Sequence, residues 1–221
     1  MIFLTGFMGS GKTTVGLELQ RLLKRPFLDL DDMIRESSGR TIPQIFEHAG
    51  EESFRVMENK ALTEIALKTE PYVVATGGGL PADPSNRALM KSSGVLIYLK
   101  SPFEELRRRI GADHNRPLWN EDAYSLFLAR EASYEEADIT VHTAGKTPHA
   151  VAEEIQVKLR ERREPVPVIL SDRSYPIYIG RGIFKDFQEL LSRHMEPEGI
   201  FVLVDENVYR LHTERIEHAL K

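Results

Sequence analysis

GFMGSGKTT, residues Gly6–Thr14, follows directly on the apolar start Met1–Leu4 and precedes Val15, Leu19, Leu22 and Leu23 at helical spacing. It fits G-x-x-x-x-G-K-[ST] at Gly6, Gly11, Lys12 and Thr13, with strand character before it and helix character after it. Glycines let the backbone turn sharply and bring its N–H groups close to phosphate oxygens. The helix N-terminus adds a favourable dipole, Lys12 a mobile positive charge, and Thr13 a hydroxyl for Mg²⁺. A chance glycine-rich turn would rarely carry both flanks in register. The stretch reads as a nucleoside triphosphate site in which Gly9, Ser10, Gly11, Lys12, Thr13 and Thr14 cradle the phosphates.

The chain has 221 residues, room for one large domain or a medium one with a smaller companion. A net charge of −5 argues against a general nucleic-acid binder, which would show a basic excess. The basic clusters around Arg107–Arg109 and Arg160–Arg163 fall on expected helices, where a solvated face is the default. There is no cysteine, which excludes disulfides and thiolate metal sites, and the seven histidines form no H-E-x-x-H pair. No run approaches membrane-spanning length and no signal sequence precedes the glycine loop, so a cytoplasmic enzyme is expected.

Working outward from the loop, Pro26–Leu30 reads as a second strand ending in acids, with Asp29, Asp31 and Asp32 before a helix expected from Met33. Carboxylates there suit an N-cap and the helix dipole, which is the reading adopted for Asp32. Asp29 and Asp31 stand at the carboxyl end of a parallel strand, the edge at which open α/β sheets bind ligands. Alternate residues of an extended chain face opposite ways, so one could address a metal and the other a substrate. After the break at Ser38–Thr41, Ile42, Ile45 and Phe46 begin a short amphipathic piece that Gly50 ends, and a further helix starts at Glu51. Arg55 and Glu58 lie three apart on that helix. An exposed pair of this kind contributes only ~0.2–0.5 kcal/mol. An Arg held by a carboxylate is equally a clamp for an anionic substrate. Spacing leaves both readings open.

Tyr72–Ala75 is an apolar strand followed by Thr76-Gly77-Gly78-Gly79. Three glycines cost chain entropy and supply no packing, so close approach of the backbone to a ligand explains them better than a plain loop. Val95–Leu99 and Ile139–His142 bring the apolar strands to five, separated by helices, which indicates an α/β fold with a parallel sheet covered on both faces. Gly111–Ala123 is a polar connector holding Arg116 and the sole tryptophan, Trp119; it reads as an exposed loop or as a lid that closes over phosphates. The helix Tyr124–Ala137 carries Arg130 and Tyr134 one turn apart, and Thr147 caps a last helix through Val151, Ile155 and Leu159.

These words occur together and in order: GFMGSGKTT, FLDLDD, SGRTIPQIFEHAGEESFRVMENKAL, TGGG, NRPL, and Arg130 with Tyr134. Through them residues 1–162 resemble shikimate kinase, a nucleoside-monophosphate-kinase-like enzyme that phosphorylates the 3-hydroxyl of shikimate with MgATP. The resemblance implies a three-layer P-loop kinase fold with a five-stranded parallel sheet. It also implies that Thr13 and Asp29 serve Mg²⁺, and that Asp31 hydrogen-bonds the reacting hydroxyl and accepts its proton. Arg55 and Arg130 would bind the substrate carboxylate, Gly77, Gly78 and Gly79 would line the same pocket, and Glu58 would hold Arg55. Lys12 and Arg116 would stabilise the transferring phosphoryl group, and Arg109 would pack against adenine. A gluconate-kinase-like enzyme and a non-catalytic nucleotide-binding module are the alternative readings; an intact lid arginine speaks against the module.

Beyond a linker at 163–167 the chain continues through expected strands Val168–Leu170, Tyr175–Ile179 and Ile200–Val204, with helices between and after. SDRSYPIYIGRGIF and VLVDENVYRLH resemble the start of 3-dehydroquinate synthase, in which Asp205 and Asn207 would approach NAD. The resemblance implies that 168–221 is an incomplete opening of such a domain, from a fused kinase–synthase polypeptide cut short. No synthase activity is expected of it, and the remainder of that domain is the one macromolecular partner implied.

Overall fold

The structure, a computed structural model, describes residues 1–111, 121–161, 165–168, 175–178, 187–188 and 202–219. Five short strands run parallel in the order β2-β3-β1-β4-β5: β1 (Ile2–Thr5), β2 (Phe27–Asp29), β3 (Val73–Ala75), β4 (Val95–Lys100) and β5 (Ile139–His142). β1 is central, with Ile2 opposite both Val73 and Val95. Its four residues are all buried, which is why the strand reads as an unbroken apolar run rather than an alternation.

Alternate residues serve opposite layers. Ile2, Leu4, Ile97 and Leu99 pack on Val15 and Leu19 of α1 (Lys12–Leu23) and on Val151 and Ile155 of α7 (Pro148–Glu161). Phe3, Val74 and Leu96 face the other way, onto α2 (Leu30–Ser38), α3 (Ile42–Ala66) and α4 (Pro84–Ser93) through Ile34, Leu62, Ile65 and Met90. Each fully buried aliphatic chain of this kind contributes about 1.5–3 kcal/mol. A third cluster, Phe7, Tyr98, Leu106, Phe127 and Tyr134, seats α5 (Phe103–Ile110) and α6 (Ala123–Glu135) beside the glycine loop. The result is a three-layer α/β fold with the expected five-stranded sheet.

Local signals set the helix ends, with two departures from expectation. α2 starts at Leu30, not Met33, and its cap is Asp29, whose Oδ1 accepts from the Asp31 N–H at 3.0 Å. Asp32, in the first turn, instead pairs with Arg35 in the last. An N-cap must keep extended backbone while its carboxylate reaches two residues ahead; Asp29, the last residue of β2, does both. α3 opens on a capping box between Thr41 and Gln44 and passes through Gly50 at φ 77°, ψ 171°, so that two helical pieces join at a kink. The Thr147 hydroxyl accepts from the Ala150 N–H at 3.2 Å at the start of α7.

The chain divides into two compact units, Met1–Leu159 and Arg160–Lys221. In the second, β6 (Pro165–Val168) pairs antiparallel with β7 (Tyr175–Tyr178), and α8 spans Glu206–Ala219. Pro165–Pro167, in the stretch expected as a linker, belong to a ladder; a two-stranded ladder has only edges, where proline is tolerated. Val202–Val204 form no strand, and Leu203 is fully exposed, because no neighbouring strand among the described residues takes up their backbone groups. The Asp205 carboxylate caps α8, accepting from the Asn207 and Val208 N–H groups at 3.0 and 3.3 Å. Residues 169–170, 179 and 200–201 of the expected strands lie outside the described residues. No helix among the described residues is long and apolar enough to cross a membrane.

Candidate active site

Strand ends deliver the parts of the site to one edge of the sheet. Leaving β1, the chain turns through Gly6, Gly9 and Gly11, all at positive φ, before α1 begins at Lys12. A side chain at Gly6 would meet the Leu99 carbonyl oxygen at 2.8 Å, so the turn is closed to other residues by space as well as by conformation. The Lys12 ammonium donates to the carbonyls of Gly6 (2.7 Å) and Phe7 (3.2 Å), arching over its own loop.

At the end of β2, both oxygens of Asp29 are engaged: Oδ1 caps α2, and Oδ2 accepts from the Thr13 hydroxyl at 2.8 Å. Thr13 and Asp29 thus present a pair of hard oxygens beside the loop. No group of three or more His, Cys, Asp or Glu residues placed to hold a metal ion occurs among the described residues, so they build no all-protein metal cage. The pair fits Mg²⁺, which keeps water and takes phosphate oxygens alongside one or two protein ligands.

Arg55 and Glu58 are bonded, Nη1 to Oε2, with Glu58 fully buried. Arg55 Nη2 also donates to the exposed Glu51 at 2.6 Å. Burial pushes the Glu58 carboxyl above the ordinary carboxylate value against the pull of Arg55, and Glu58 Oε1 has no hydrogen-bond partner among the described residues. Burial alone would lower the Arg55 guanidinium, yet the Glu58 and Glu51 carboxylates hold it above its usual value. A fully buried, half-satisfied acid is a costly way to stabilise a fold. This removes the thin surface-pair reading for Arg55 and Glu58.

After β3, a side chain at Gly77 would overlap Glu58 Oε1, and one at Gly79 would overlap the Arg55 guanidinium. Gly77 and Gly79 thus pack directly on the Arg55–Glu58 pair, whereas a side chain at Gly78 would come no nearer than 3.4 Å to its surroundings. The Gly78 carbonyl accepts from the Tyr134 hydroxyl at 2.5 Å, and burial raises that phenol above its ordinary value. Arg130, on the same helix, is 8% exposed. Arg109 donates through Nη2 and Nη1 to the carbonyl and hydroxyl of Thr143 (2.9 and 3.1 Å) and through Nε to Glu105 (3.0 Å).

One cleft of about 1300 Å³ is lined by Gly9 to Thr14, Asp29, Asp31, Arg55, Glu58, Gly77 to Gly79, Arg109 and Arg130. It gathers every residue the shikimate kinase resemblance assigns to the nucleotide, metal or acceptor except Arg116, which lies outside the described residues, as does Trp119.

The shikimate kinase family profile matches residues 8–160. A shikimate kinase of Enterococcus faecalis is 43% identical over 167 residues, covering 72% of this chain and 98% of its own length. The chain belongs to the shikimate kinase family. A family member from Persephonella marina is 41% identical, across 72% of this chain and 98% of its own. Among solved structures, a shikimate kinase from Acinetobacter baumannii in complex with shikimate superposes with a TM-score of 0.69 at 39% identity, covering 73% of this chain and 93% of its own. That of Aquifex aeolicus gives 0.65 at 40% identity, over 72% and 95%. Members of this family are phosphotransferases, and this chain is one. The family profile ends at residue 160, where the second unit begins.

Sequence reasoning missed two parts of this shikimate kinase site. Glu51, which shares Arg55 with Glu58, carried a signal in its i,i+4 spacing. The Tyr134–Gly78 bond joins residues 56 positions apart and had none.

Proposed function

We propose that this chain transfers the γ-phosphoryl group of MgATP to the 3-hydroxyl of shikimate, giving shikimate 3-phosphate and ADP, in the cleft of its first unit. The observation that carries the assignment is the second half of the cleft: a guanidinium locked by a buried carboxylate, packed on a triglycine, with a second buried arginine nearby. That constellation suits a compact acceptor bearing a carboxylate, because a planar fork bonds such a group bidentately.

Arg55 and Arg130 bind the acid carboxylate, and Gly77–Gly79 form the floor. Asp31 accepts the proton of the attacking hydroxyl. As the new oxygen–phosphorus bond forms, the bond between the γ-phosphorus and its bridging oxygen breaks and ADP departs with that electron pair. Lys12, with Arg116 from the connector, bears on the charge of the transferring group, which is the main demand of phosphoryl transfer. Gly9 to Thr14 hold the phosphates and Arg109 borders the adenine. Thr13 and Asp29 would hold Mg²⁺, which supplies charge neutralisation of the phosphate oxygens when bound. A cytoplasmic setting agrees with these substrates.

Residues 168–221 are read as dehydroquinate-synthase-like, on the strength of SDRSYPIYIGRGIF and VLVDENVYRLH, with 1–162 as the kinase domain. No synthase activity is assigned to them. The deciding experiment is coupled ADP release with shikimate and, separately, gluconate, with the phosphorylated position read by phosphorus NMR. Turnover with shikimate and esterification at the 3-hydroxyl are expected; turnover with gluconate alone would overturn the assignment.

A further inference from the structure

The two arginines of the acceptor pocket stand on different helices, Arg55 on α3 and Arg130 on α6. Between them run the triglycine and the short 3₁₀ turn Leu80–Ala82, and that turn packs on α3, α4 and α6. The first turn of α4 binds these parts together. Asn86, buried, donates from Nδ2 to the Leu80 carbonyl (3.2 Å) and to Asn59 Oδ1 (2.6 Å), the residue after Glu58. Arg87 donates from Nη1 to the carbonyls of Pro81 (2.6 Å) and Ala82 (3.2 Å). Its Nε and Nη2 take both oxygens of Glu136, at 2.8 and 2.9 Å, immediately past the end of α6. Lys91, one turn on, donates to the Glu136 carbonyl at 3.0 Å. A cavity of about 220 Å³ next to this turn is lined by Arg55, Asn59, Gly79, Asn86 and Arg130.

Stability is a weak reason for this arrangement. The Arg87 side chain is 11% exposed but Glu136 is 55% exposed, and an ion pair open to water on one side contributes little. A bidentate fork instead fixes direction and separation. We propose that Arg87 is a positioning residue for the acceptor. By locking the end of α6 to the turn that follows the triglycine, it sets the distance of Arg130 from Arg55 and Gly79, and so the fit of the substrate carboxylate. Asn86 does the same for the α3 side. The proposal rests on the assignment of Arg55 and Arg130 to that carboxylate.

The test is steady-state kinetics with thermal melting on the full chain carrying Arg87→Met, Arg87→Lys, Glu136→Gln or, as a control, Arg130→Met. Misplacement by a fraction of an ångström should make Arg87→Met raise the KM for shikimate about tenfold, with kcat and the KM for ATP held within about twofold. Arg87→Lys keeps the charge without the fork and should restore only part of the affinity. The double variant with Glu136→Gln should be no worse than Arg87→Met alone, since both cut one link. An unchanged shikimate KM in Arg87→Met, while Arg130→Met raises it, would overturn the positioning role. So would a lowered melting temperature with kcat and both KM values impaired alike, the mark of a merely structural residue. If Arg130→Met itself leaves the shikimate KM unchanged, the carboxylate assignment falls and takes this role with it.

Discussion

At the scale of single residues, Asp31 and Glu58 differ in what they are asked to do, although both carboxylates line the cleft. Asp31→Asn keeps the shape but removes the proton acceptor. It is expected to lower kcat by about two to four orders of magnitude while ATP binding, followed by calorimetry, stays near normal. Glu58 holds Arg55, and burial places its pKa above the ordinary carboxylate value. Because the folded pKa is raised, its contribution to stability is fully present only below the unfolded value and is lost as pH rises through the folded one. The ionised form of Glu58 therefore adds less to stability than the protonated form. Glu58→Gln should leave the melting temperature at pH 7 unchanged or higher, since Arg55 keeps Glu51 as a partner. The same variant should raise the KM for shikimate about tenfold, the equivalent of one charge-assisted hydrogen bond. In the unsubstituted chain, the KM should begin to climb on acidification at a pH above the usual Glu range. A flat KM across that range would remove Glu58 from the tether.

At the scale of elements, the triglycine and the caps make separable predictions. Gly77→Ala puts a methyl into Glu58 Oε1, so shikimate binding should weaken by well over tenfold while nucleotide affinity, read by ATP titration, is kept. Thr41→Ala removes half of the capping box of α3 and should cost about 1 kcal/mol in denaturant unfolding. How much was legible follows the range of each signal. The turn at Gly6–Thr14 and the five apolar strands are local patterns, and they announced the fold. Asp29 as a cap was missed because its role depends on where β2 stops, which local charge does not fix. The packing of Gly79 on Arg55 and the fork from Arg87 to Glu136 join residues far apart in the chain, so no window of sequence could register them. The expected strand at Ile200–Val204 had the right composition, yet strands form by pairing and its described part has no partner.

At the scale of the whole molecule, every candidate residue of the kinase site among the described ones belongs to Met1–Leu159. A chain comprising residues 1–162 should therefore retain shikimate-dependent ADP release within about twofold of the full-length value. A loss greater than tenfold would assign the second unit a part in catalysis. The division into two units, together with the open apolar side chains of Leu203, Val208 and Leu211 in the second, has a calorimetric consequence. Heat capacity follows the apolar surface that unfolding exposes, so the described part of the second unit should melt with a shallow, broad heat signal. Saturating nucleotide and acid stabilise only the unit that binds them, by about 2.7 kcal/mol at a hundredfold excess over Kd. A scan with ligands should thus move one sharp endotherm upward and leave the shallow one where it was.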